Sequence, residues 1–236
     1  MENLLVKTNL LGKIFGEIKN LEISDGSVFI EMKSGKRDCL DVSGISDIPS
    51  IHFGVFGCKL NLEHKGKKYT FPFLDKKQSE HFFKSIEEAA IKSISTLINH
   101  ANDEFYKTAC HEYFRDSSVG LLEKQIVPLL DKYQNSTAVW QSKISPENLT
   151  KIAMWKKYLP LSDGKSVLRK EYESRQLVSR KAFFDIIESN PLTKKQRLSV
   201  IRSNDINLIL AAAGTGKTSV MVAKALDLID SKVAKP

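Results

Sequence analysis

The eight residues Ala211-Ala212-Ala213-Gly214-Thr215-Gly216-Lys217-Thr218 constrain the fold of this chain more than any other feature. They follow an apolar run, Ile206–Ala212, of the kind found in a parallel strand buried on both faces. They precede a segment, Thr218–Ile229, whose Val220, Ala223, Leu226 and Ile229 recur at helical spacing. A strand, a glycine-rich turn and a helix in that order predict an anion cradle. A triphosphate needs several N–H donors converging on its oxygens, so the loop must wrap closely, and Gly214 and Gly216 permit dihedrals and an approach that a Cβ would obstruct. Lys217 adds a point charge for the β- and γ-phosphates, and the Thr218 hydroxyl is placed to coordinate Mg²⁺. The helix that begins there presents unpaired N–H groups and the positive end of its dipole. Ala211, Ala212, Ala213, Gly214, Thr215, Gly216, Lys217, Thr218 and Ser219 are therefore the candidate residues for ATP, with Ala211 in place of the first glycine of the general pattern.

Upstream the chain changes period twice. Residues 20–75 read as strands and turns: Ser27–Met32, Cys39–Val42, Ile51–Phe56, Lys59–Glu63 and Lys68–Phe73 are short β-prone runs broken by glycine and charge, which predicts a small antiparallel, partly closed sheet. From Asp75 onward Phe83, Ile86, Ala90, Ile94 and Leu97 are spaced by three and four, a helical stripe that runs towards Phe105 and Phe114. Further helices are predicted at Leu121–Tyr133, Pro146–Tyr158 and Lys165–Ser189, the second with Ser145 as N-cap and Pro146 at its first position. Leu159-Pro160-Leu161 begins a break that Asp163-Gly164 completes, and Asn190-Pro191 ends the helical part. Thr193–Ile201 suits a short helix. The expected fold class is α+β: a small amino-terminal β-rich domain over 1–75, an antiparallel helical arm over 76–190, and from 191 the first strand-loop-helix of a RecA-like P-loop domain.

The formal charge of +8 is unevenly placed. Residues 151–202 hold thirteen basic and five acidic side chains, so the excess sits just before the loop, where it would attract a polyanion such as DNA. No apolar run approaches the roughly 20 residues that cross a bilayer, and Met1–Leu11 lacks a signal pattern, so no membrane partner and a cytoplasmic location are expected. Cys39, Cys58 and Cys110 are odd in number and widely spaced, and are expected as reduced core thiols. His52, His64, His81, His100 and His111 have no ligand spacing and are expected to be structural or on the surface.

The stretch Asn190-Pro191-Leu192-Thr193-Lys194-Lys195-Gln196-Arg197, followed by Asn207-Leu208-Ile209-Leu210 and AAAGTGKTSV, resembles the start of the motor in UvrD/Rep-type superfamily 1 DNA helicases. Ala212 and Thr215 depart from the commoner glycine and serine of that loop. The upstream part is similar to the helicase IV branch of the family, through a segment like Ile51-His52 and a strand like Gly57–Leu60. The resemblance implies that Gln196, 21 residues before Lys217, is the Q-motif glutamine that recognises the adenine edge. It implies an ATP-driven 3′ to 5′ motor acting on single-stranded or partly unwound DNA. Only 18 residues follow Thr218, so the Walker B carboxylates, an arginine finger and a second motor domain are expected from elsewhere, as from a second chain completing the motor. Asp227 and Asp230 are expected to be solvated on the loop helix, and the chain alone is expected to bind ATP weakly without hydrolysing it. The alternative is a non-catalytic DNA- or protein-binding module with a relic P-loop.

Overall fold

The computed structural model describes residues 4–230. Its residues group into two units: one up to Asn99 together with Asp131–Thr150, the other His100–Leu130 together with the chain from Lys151 on.

The first unit is built on seven strands: β1 (Leu4–Lys7), β2 (Ile18–Ser24), β3 (Ser27–Met32), β4 (Arg37–Asp41), β5 (Ser50–Gly54), β6 (Gly57–His64) and β7 (Lys67–Leu74). They form not one sheet but two, a four-stranded β1-β2-β3-β4 and a three-stranded β5-β6-β7, antiparallel throughout and joined by isolated bridges at Thr8↔Leu74 and Ile45↔His64. Asp25-Gly26 and Lys65-Gly66, all with positive φ, turn the β2–β3 and β6–β7 hairpins in the sense that matches strand twist. Along β6 every second residue, Cys58, Leu60, Leu62 and His64, is buried, as a sheet with one covered face requires. Those side chains meet Val6, Leu21, Ile23, Ile30, Phe71 and Leu74, and the cover comes from Phe82, Ile86, Ala89 and Ala90 at the start of helix α2 (Lys76–Phe105). The short helix α1 (Leu10–Phe15) follows β1, and α4 (Thr137–Lys143) buries Trp140, whose Nε1 donates to Asp47 at 3.3 Å. β1, β2, α1 and α4 are not among the elements predicted from sequence.

Helix α2 keeps its stripe by drifting: Ile94, Ile98, Ala101 and Phe105 are buried, so Leu97, expected inside, is exposed. A π-helical turn, Tyr106–His111, ends it. The remaining helices are α3 (Asp116–Asn135), α5 (Pro146–Tyr158), α6 (Leu161–Ser179), α7 (Lys181–Ile186), α8 (Lys194–Ile201) and α9 (Lys217–Asp230). Asp163-Gly164 does not complete a break but lies in the first turn of α6, where a Cβ on Gly164 would come within 1.9 Å of the Tyr158 carbonyl. That glycine serves close approach rather than a turn.

The expected strand at Ile206–Ala212 is absent. Ile206, Leu208 and Leu210 are 87, 81 and 86% exposed, and residues 206–212 join no strand among the described residues. A buried parallel strand needs neighbours on both edges, and the strands among the described residues are the seven antiparallel ones of the first unit. What stands here is a loop followed by a helix. The cysteines also differ from expectation: Cys58 is buried, Cys110 half-buried and Cys39 exposed on β4.

Candidate functional site

The site is built on two helices of the second unit. Helix α8 begins at Thr193, whose hydroxyl accepts from the Gln196 N–H, while Gln196 Oε1 accepts from the Thr193 N–H at 2.8 Å. Thr-x-x-Gln is the sequence form of this reciprocal cap, a signal that the sequence reading did not single out. The cap fixes the Gln196 side chain, and Nε2 of the same amide donates to the Thr215 carbonyl at 3.2 Å. Gln196 and the loop, which the family resemblance assigned to one site, are thus in contact.

The loop closes on itself. Thr215 Oγ1 donates to the Ala212 carbonyl at 2.7 Å, and Lys217 Nζ donates to the carbonyls of Ala211 at 2.9 Å and Ala212 at 3.2 Å. Gly214 and Gly216 have φ of +72° and +81°, where a side chain is strained. They differ in their surroundings: a Cβ at Gly214 would meet open space, whereas one at Gly216 would lie 2.5 Å from Gln196 Nε2. Gly216 accepts from Val220 N and so opens α9. The N–H groups of Gly216, Lys217, Thr218 and Ser219 make no hydrogen bond among the described residues. Ala211, Ala212, Ala213, Gly214, Thr215, Lys217 and Thr218 are exposed, and Gln196, Gly216 and Ser219 half-buried. A concave run of free donors beside a lysine could hold phosphate oxygens, and Thr218 could add its hydroxyl to a cation. Among the described residues no three His, Cys, Asp or Glu side chains cluster as a metal site.

A small core supports this arrangement. Phe184, Leu192, Val200, Ile201, Val220 and Ala223 are buried together, with Tyr172, Leu177, Phe183 and Ile187 around them, so α7, α8 and α9 share one apolar interior. Arg197 Nε donates to the Leu192 carbonyl at 2.6 Å and its NH2 to Asp185 at 2.6 Å. From α9, Lys224 Nζ donates to the carbonyls of Val200 and, at 3.0 Å, Arg202 at the end of α8.

Several of the thirteen basic side chains before the loop are engaged within the chain. Lys165 and Arg169 pair with Asp116, Arg175 donates to the Cys110 carbonyl, Lys181 and Arg197 share Asp185, and Arg202 grips Glu173 at 2.8 Å. The hydrogen bonds from Asn204 and Lys165, with the charge of Arg169, hold the Asp116 carboxyl far below its ordinary range. Asp227 is not solvated as expected. Its side chain is 15% exposed and pairs with Arg180 at 3.0 Å; burial pushes its carboxyl up, against the pull of Arg180 and Lys224. Asp230, on the same guanidinium at 2.9 Å, is exposed. Apart from Lys181 and Asp185, which are four residues apart on α7, these pairings lack a sequence signature, because the partners are distant in the chain.

Residues 192–236 match the family model of the UvrD/REP helicase N-terminal domain. This segment is of the UvrD/Rep helicase type. DNA helicase IV of Escherichia coli (strain K12) is 40% identical to the chain over 65 residues, 28% of this chain and 10% of that protein. No solved structure matches the chain. The UvrD/Rep-type segment begins at Leu192, one residue before the cap of α8, and its described part takes in α8, the loop and α9. Its first residue lies in the core that α7 shares, so the preceding helix is part of the segment's support.

Proposed function

We propose that this chain supplies the nucleotide-binding start of an ATP-dependent 3′ to 5′ DNA helicase motor. The observation that carries the reading is the hydrogen bond from Gln196 to the Thr215 carbonyl, which sets a base-reading amide and a phosphate-sized loop on one framework. Each hydrogen bond that Gln196 makes uses half of its amide: one N–H and one oxygen lone pair remain, the donor and acceptor that an adenine edge requires. Residues 211–219 would hold the phosphates through free N–H groups and Lys217, as in a P-loop of the Walker A kind, and Thr218 would hold Mg²⁺. ATP, with its metal, supplies the phosphoanhydride that drives unwinding.

Lys217 is already engaged by two carbonyls, so phosphate must displace them, and binding by this chain is expected to be weak. Asp227 and Asp230 are held by Arg180 and lie on α9 itself, so neither is placed to polarise an attacking water. Binding without turnover is the expected behaviour. Strand separation and the DNA strand acted on belong to the proposed whole motor.

Calorimetry with ATP, GTP and tripolyphosphate tests the assignment. ATP should bind more tightly than GTP, Gln196→Ala should erase that preference while only weakening tripolyphosphate, and Lys217→Ala should lose all three. Equal binding of the two nucleotides by the unaltered chain, or tripolyphosphate binding indifferent to Lys217, would overturn the reading.

A further inference from the structure

We propose that a lysine-lined cleft beside α1 in the first unit binds the phosphates of single-stranded nucleic acid, while the apolar side of the same helix receives its bases. The cleft, about 440 Å³, is lined by Lys7, Thr8, Lys13, Lys19, Asn20 and Lys33, without an acidic residue. One carboxylate reaches its edge: Glu31 takes Lys19 Nζ at 2.6 Å and Asn20 Nδ2 at 2.7 Å. Lys33 Nζ donates to the Lys13 carbonyl at 2.6 Å, and the ammonium groups of Lys7 and Lys13 have no acidic partner among the described residues. Four cations facing one space against one carboxylate leave a local excess that an anion relieves. This concentration is invisible in the sequence, where residues 1–75 have ten basic and ten acidic side chains.

A second feature of α1 selects among polyanions. Leu10, Ile14 and Phe15 on this helix, and Val55 and Phe56 at the β5–β6 turn, are all exposed by more than three-fifths. The turn and the helix are tied together: Asn9 caps α1 through Gly12 N at 2.9 Å, its Nδ2 donates to the Phe56 carbonyl at 2.6 Å, and its N–H donates to Phe73 at 2.8 Å. Gly57, with φ +120°, leaves the room this contact needs, since a Cβ there would come within 2.3 Å of Asn9 Nδ2. Exposed aromatic rings on a helix and a turn tied together, the helix also lining the cationic cleft through Lys13, suit a flexible strand whose backbone follows the charge and whose unpaired bases stack. An acidic peptide would use the lysines and leave Phe15 and Phe56 without a role. A bilayer surface favours a longer amphipathic helix than the six residues of α1.

The inference does not rest on the nucleotide site. Anisotropy of a fluorescein-labelled 20-mer of thymidylate, titrated with the full chain, tests it. Three or four phosphate contacts at about 0.7 per contact give a log–log salt slope of roughly −2 to −3, a weakening of about 20- to 50-fold between 50 and 200 mM salt. Lys7→Gln with Lys13→Gln should flatten the slope by about 1.4. Phe15→Ala with Phe56→Ala should weaken binding by about 30-fold or more and leave the slope unchanged. Lys217→Ala, which removes nucleotide binding at the loop, should leave the oligonucleotide titration and its salt slope as they are, which separates this site from the loop. Acetic anhydride footprinting of the unaltered chain reads the same site without substitutions, and the oligonucleotide should protect Lys7, Lys13 and Lys19. Absence of that protection, binding indifferent to both pairs of substitutions, or preference for phosphatidylserine vesicles over the oligonucleotide would overturn the proposal.

Discussion

Alanine at Gly216 and at Gly214 should have unequal effects, and the difference can be worked from the geometry. Both glycines have left-handed φ, so alanine at either costs about 1–2 kcal/mol to hold the loop as it stands. At Gly214 nothing else is near, and the expected loss of affinity for Mg-tripolyphosphate is about 5- to 30-fold. At Gly216 the new methyl meets Gln196 Nε2 at 2.5 Å, the far end of a flexible side chain, which yields by giving up its hydrogen bond to Thr215. That adds about 0.5–1.5 kcal/mol. The total of about 1.5–3.5 kcal/mol corresponds to roughly 10- to 300-fold. Because Gly216→Ala already removes the Gln196 contact, adding Gln196→Ala to it should cost nothing further, although Gln196→Ala alone weakens binding about 2- to 13-fold. Tripolyphosphate is the probe because it has no base for Gln196 to read, so the cycle reports loop support alone. Calorimetry of the four proteins decides the matter. Additive losses in the double variant, or a larger loss at Gly214 than at Gly216, would refute the reasoning.

Phe184→Ala empties the centre of the core shared by α7, α8 and α9 and should cost about 3–5 kcal/mol in urea unfolding, with loss of nucleotide binding. In the first unit, burial raises the Glu63 carboxyl, but hydrogen bonds from Lys132 and Ser46 and the charge of Lys132 bring it below its ordinary value. Since a carboxyl lowered in the folded state contributes stability above its unfolded pKa and loses it as pH falls through the folded one, Lys132→Met should destabilise by about 2–3 kcal/mol at pH 7, with a deficit that shrinks from pH 5 downward. A deficit constant across that range would refute it. Leu208→Ser with Leu210→Ser should leave the free energy of urea unfolding within about 0.5 kcal/mol of the unaltered chain and reduce self-association in light scattering, because both side chains face solvent.

The parts of the fold readable from sequence are those governed by short-range pattern. Ser27–Met32 and Pro146–Tyr158 have the boundaries expected of them, because alternation in one and a Ser-Pro start in the other are local signals. The loop was legible for the same reason, since glycine spacing and the following lysine are contiguous. What depends on distant partners was not. Ile206–Ala212 has strand composition but no strand beside it among the described residues, and the Arg180–Asp227 pair joins residues 47 positions apart. Counting charges along the chain put the cationic surface before the loop. Folding pairs Lys165, Arg169 and Arg197 there with carboxylates and also gathers Lys7, Lys13, Lys19 and Lys33, spread over 27 positions, into one cleft.

Lys224 gives the loop region a property that neither helix has alone. Its ammonium reaches from the second turn of α9 to the carbonyls that end α8, while Gln196, at the other end of α8, reaches back to the loop before α9. The two helices are therefore stitched at both ends, like rails joined by two ties. A displacement of α9 caused by an incoming anion would be passed to the glutamine within the same movement, so base and phosphate would be sensed as a single length. Such a gauge discriminates by reach: a ligand with the right ring but too short a tail, or the reverse, would satisfy one tie only by straining the other.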